Sequence, residues 1–92
     1  FTNYLFTIAE GLLKENNLSF NILGPLINET IEKALAIGPS KSQTGPAVRG
    51  DIETIEKHMN VLQAEKDLSL LYETISGLIK KYYKEAIIVK ER

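Results

Sequence analysis

The sequence predicts an all-α domain of about four helices, and three observations carry that reading. Apolar residues recur at three- and four-residue spacing along four separate runs. Polar, Gly- and Pro-bearing stretches divide the runs where caps and turns belong. Strand-like alternation is missing beyond the short run Ala86-Ile87-Ile88-Val89, and no internal repeat is evident.

The first helix is expected over about Phe1 to Glu15, where Leu5, Ile8, Ala9, Leu12 and Leu13 keep the helical spacing, and Asn16-Asn17 ends it. Ser19 is the candidate N-cap of the second, which carries Leu23, Leu26, Ile27, Ile31, Ala34 and Leu35 and stops at Gly38-Pro39. Gly24-Pro25 falls near its first turns, where a proline marks either a kink or a later start. From Gly38 to Gly50 the composition turns to loop chemistry. Asp51 then stands where an N-cap belongs, ahead of Ile52, Ile55, Met59 and Leu62, and its carboxylate suits the positive end of a helix. After Gln63 to Asp67 a fourth helix carries Leu68, Leu71, Tyr72, Ile75, Leu78, Ile79 and Tyr82, and the tail AIIVKER extends it or frays.

The apolar faces differ in width. At about 100° per residue those of the first two helices sweep arcs of roughly 200°, whereas the last two show stripes of about 80° to 140°. The first two helices therefore call for partners on more than one side, such as a second subunit or a further domain. A monomer with the second helix at its centre is the plainer alternative.

Composition excludes several function classes. The 92 residues balance eleven basic against twelve acidic side chains for a net charge of −1, with no like-charge block beyond Lys80-Lys81. Nothing in that balance marks a nucleic-acid binder. There is no cysteine and only one histidine, so a disulfide framework, a thiolate nucleophile and an ordinary zinc site are excluded. No apolar run approaches the ~18 residues of a membrane span, and the expected compartment is the cytoplasm. The chain opens on Phe1 inside an apolar helical pattern, and it is expected to be part of a longer polypeptide.

The stretch QTGPAVRGD, from Gln43 to Asp51, concentrates backbone constraint and charge between two helical runs. Gly45-Pro46 fixes a tight turn, Gly50 lets the backbone pass close to a neighbour, and Arg49 is the one strong anion fork in the loop. Arg49 suits a substrate carboxylate or a phosphate, and it suits an ion pair with Asp51 equally well. Arg49-Gly50-Asp51 as an integrin ligand would need secretion and a flexible tip. Asp51 as a helix cap needs neither. The glycosylation-like triplets at Asn17 and Asn28 are discounted, the second because it falls inside a helix. His58 is read as a partly buried boundary residue of the third helix, and Tyr72, Tyr82 and Tyr83 as packing residues. No phosphate loop, GxGxxG or HExxH is present, so no catalytic or metal-binding residue is assigned.

Read together, Asn3 with its aromatic and aliphatic neighbours, AEGLLKENNL, LGPLINETIEKAL, QTGPAVRGD, TIEKHMNVL and LYETI resemble a known family. That family is the C-terminal helical domain called domain of unknown function 2520. The resemblance implies a fold like the C-terminal domain of 6-phosphogluconate dehydrogenase. It also implies a place after an N-terminal Rossmann domain, in an oxidoreductase laid out like pyrroline-5-carboxylate reductase and the 3-hydroxyacid dehydrogenases. NAD or NADP would serve the full-length protein, with no cofactor held by this chain. Residues 1–92 would then be a dimerisation domain, paired as a homodimer, that also walls the substrate cleft. Asn3, Thr44 and Arg49 would contact substrate, and Gly45, Pro46, Gly50 and Asp51 would shape the loop. The Rossmann half is absent from this sequence, so no turnover is expected from the chain alone. The alternative is a stand-alone helical module that binds a partner helix between its first two helices.

Overall fold

The computed structural model describes residues 1–91, with side-chain surroundings through residue 84. Its element order is α1 (Thr2–Glu15), a 3-10 turn (Phe20–Leu23), α2 (Gly24–Ile37), α3 (Pro39–Ser42), α4 (Pro46–Arg49), α5 (Ile52–Leu62) and α6 (Lys66–Glu91). The described residues contain no strand, and the class is all-α. Four of the helices are long; α3 and α4 are single turns inside the stretch expected as loop. Each opens on a proline, whose missing N–H costs nothing in a first turn. The chain divides into two units, the first ending at Ser42 and the second beginning at Gln43.

In the first unit, α1 ends because Asn17 takes the left-handed conformation at φ 58°. The amide of Leu18 then reaches back to the Leu13 carbonyl at 2.9 Å and that of Asn17 to Lys14 at 3.1 Å, closing the last turn. Asn16 adds its side-chain amide to the Leu12 carbonyl at 3.0 Å. Ser19 does act as a cap, accepting from the Asn21 amide at 3.2 Å, but what it caps is the 3-10 turn. The second long helix starts later, at Gly24, because Pro25 has no amide to continue a ladder from upstream. Phe20 meets Phe6 edge to face, with centroids 6.1 Å apart, and so ties the turn to α1.

The face of α2 explains its broad apolar arc. Leu23, Ile27 and Ala34 are half-buried along its centre line. On one flank Leu26 and Ile37 are exposed, and on the other Ile31 and Leu35, the last at 83%. The two flanks lie about 160° apart around the helix. Local packing therefore covers a central strip and leaves both margins open.

In the second unit α5 and α6 form an antiparallel hairpin across Gln63-Ala64-Glu65. Ser69 donates its hydroxyl to the Leu62 carbonyl at 2.7 Å, supplying a partner to a C-terminal carbonyl of α5. The ladder of α6 begins at Lys66, two residues before Leu68, and runs through the tail as far as Glu91; Arg92 lies outside the described residues. The single turn α4 packs against both helices and carries Ala47, which at 7% exposure is the one buried residue among those described. No helix among the described residues is long and apolar enough to cross a membrane.

Candidate functional site

The second unit opens on the constrained loop, and each backbone oddity there has a local cause. Gly45 adopts φ 110° and ψ 173°, a region open to glycine alone. Pro46 follows as the first residue of α4. At the other end Gly50 is left-handed at φ 69°. That turn brings the Asp51 amide onto the Pro46 carbonyl at 2.9 Å, ending α4 and delivering Asp51 to the start of α5.

Asp51 caps α5 with both carboxylate oxygens. Oδ1 accepts from the Thr54 amide at 3.1 Å, and Oδ2 accepts from the Thr54 hydroxyl at 2.7 Å. The Thr54 hydroxyl, then its amide, hold the Asp51 carboxyl below its usual 3.8, and the Arg49 guanidinium adds to the same direction. Arg49 approaches Oδ2 at only 3.7 Å and remains 60% exposed. A pair so long and wet leaves most of the guanidinium's donors available.

Thr44 is exposed, and its carbonyl accepts from the Gln43 side chain at 3.1 Å. Thr44, Gly45, Pro46, Arg49, Gly50 and Asp51 are thus brought together on one turn of chain. Asn3 belongs to the other unit, exposed on the first turn of α1, where its carbonyl accepts from the Thr7 hydroxyl at 3.1 Å. The first unit also carries an open hollow of about 430 Å³ lined by Glu10, Lys14 and Asn21 among others, and Asn3 is not in its lining.

His58 corrects the expectation of a partly buried boundary residue: it is exposed. Its Nδ1 lies 2.6 Å from the Tyr72 hydroxyl, and the two rings meet edge to face at 5.5 Å. This link between α5 and α6 is missed by spacing within either helix. The usable signal was the short connection at Gln63-Ala64-Glu65, which forces an antiparallel hairpin and sets positions symmetric about residue 65 side by side. Among the described residues no group of three or more acidic or histidine side chains could hold a metal ion.

Residues 1–79 match the family model of the domain of unknown function 2520. The chain is also similar to a solved structure from Bacteroides fragilis named a "putative NADP oxidoreductase". That likeness has 39% sequence identity and a TM-score of 0.84 over 87% of this chain. It spans only 31% of the Bacteroides protein. No curated protein matches the sequence.

Proposed function

The chain belongs to the family of the domain of unknown function 2520, and from that membership we propose that it is the helical dimerisation and substrate-cleft domain of an NADP-dependent oxidoreductase. The observation that carries the reading is the likeness, at 39% identity, to about a third of the larger Bacteroides protein named a "putative NADP oxidoreductase". The remainder of such a protein would supply the nucleotide site. Within the described residues this chain has no strand leading into a glycine-rich turn, so no step involving the nucleotide is assigned to its side chains. When bound, the nucleotide supplies the hydride.

What the chain contributes is a wall and a brace. Arg49 holds an anionic group of the substrate, Thr44 hydrogen-bonds one of its oxygens, and Gly45, Pro46, Gly50 and Asp51 fix the loop. The open flanks of α2, together with exposed Tyr4 and Leu5 on α1, are the surfaces that a second copy and the nucleotide-binding domain cover.

The test uses the polypeptide from the complete reading frame. It should bind NADPH and oxidise it with an acceptor substrate, whereas residues 1–92 alone should do neither. Arg49→Ala should raise the KM for an anionic substrate about tenfold or more, as expected for losing a charge-assisted bond. Unchanged affinity and turnover would remove the anion role, and nicotinamide turnover by the isolated chain would overturn the division of labour.

A further inference from the structure

A polar row runs along one edge of α5, and only its first end has been given a task. Asp51, Thr54 and His58 stand at spacings of three and four and fall within about 60° of the helix circumference. Arg49 marks the near end through its contact with Asp51 at 3.7 Å. His58 marks the far end, about 10 Å along the axis from Asp51.

The imidazole there is oriented. At 2.6 Å the contact with Tyr72 falls in the range of an O–H donor and is short for an N–H donor. A phenol is also the better donor and a bare imidazole nitrogen the better acceptor. With Tyr72 as the donor to Nδ1, a neutral imidazole carries its proton on Nε2. The edge-to-face ring contact at 81° holds the plane. His58 is exposed while Tyr72 is half-buried, so the free donor belongs to the outer partner of the pair.

This inference rests on the cleft reading of the previous subsection and names the ligand class for it. We infer that the α5 edge recognises a small acid at two points: Arg49 takes its carboxylate, and His58 donates from Nε2 to an acceptor oxygen at the other end. Tyr72 is the positioning residue that fixes the imidazole proton.

The experiment titrates the complete protein, with and without NADP, with malonate, succinate and glutarate, each paired with the monocarboxylate of equal chain length. At least one diacid should bind about tenfold more tightly than its pair, the value of one good hydrogen bond to a charged acceptor. His58→Phe, which keeps a ring against Tyr72, should abolish that preference. His58→Gln, with an amide donor of similar reach, should restore part of it, and Tyr72→Phe should reduce it about threefold. Nitrogen-15 NMR of the imidazole should show the proton on Nε2 in the parent protein and a mixture of tautomers in Tyr72→Phe. Equal binding within every pair, a preference that survives His58→Phe, or a proton on Nδ1 would each overturn the inference. NADP failing to bind the complete protein would instead overturn the oxidoreductase reading, and the acid titrations would still decide the two-point site.

Discussion

Asp51 and Thr54 hold each other twice, Oδ1 to the Thr54 amide at 3.1 Å and Oδ2 to its hydroxyl at 2.7 Å. One carboxylate therefore satisfies an orphan donor of α5 and immobilises the residue beside Arg49. The loop's rigidity and the helix's start share a single side chain.

Asp51→Ala should lower the thermal midpoint by several degrees, and Asp51→Asn by less, because the amide oxygen still accepts one bond. The pH dependence has a definite sign. The carboxyl is held below its usual 3.8, so its contribution is complete above about pH 4 and disappears as the pH falls through the lowered folded value. Urea midpoints measured between neutral pH and pH 2 should show that loss in the parent chain, and Asp51→Asn should flatten it.

The glycines should divide into two classes. Gly45→Ala, at φ 110°, should cost about 1–3 kcal/mol, and Gly50→Ala, at φ 69°, about 1 kcal/mol, with Gly50→Asn milder. Gly11 and Gly77 lie inside α1 and α6, where a methyl group would meet nothing within 4 Å beyond its chain neighbours and the helix's own backbone. Alanine at either should raise stability by about 0.5–1 kcal/mol in denaturant titrations. A destabilising Gly11→Ala would reveal a close-packed partner on that face.

Ala47 is the only buried residue among those described. Ala47→Leu should cost about 1–3 kcal/mol by overpacking α4 against α5 and α6. It should also shift the amide resonances of Gly50 and Asp51, whereas Val48→Leu should do little of either.

Light scattering over a range of concentrations should give twice the chain mass, and Leu35→Lys or Leu26→Lys on the open flanks of α2 should return the single-chain mass. Leu35 and Leu26 are 83% and 60% exposed within the chain, so the substitutions disturb little inside it. A parent chain of single mass at all concentrations would leave those flanks to a different domain.

The sequence announced what short-range chemistry decides. An acidic residue before a periodic apolar run is an N-cap, and Asp51 is one; Gly38-Pro39 is a stop, and α2 ends there. The arc of α2 was legible because its exposed margins are as apolar as its covered strip. The turns α3 and α4 were hidden because four residues cannot display a helical period, although Pro39 and Pro46 each marked a first turn. Within the candidate site, the glycines pointed to unusual backbone angles, but the contact between His58 and Tyr72 depends on how two helices lie side by side. No pattern along one helix encodes it.

The bond from Ser69 to the Leu62 carbonyl has a further consequence for how the chain acquires its shape. It bridges a very short span of sequence, and loops of that size close in about 10–100 ns. The hairpin of α5 and α6 should therefore assemble as an early kinetic unit, before contacts that require distant segments to meet. Hydrogen exchange started during refolding should protect the amides of residues 55–75 first and those of residues 44–50 later. The turn from Thr44 to Gly50 would then be laid down after the hairpin, onto a helix end already waiting for its aspartate.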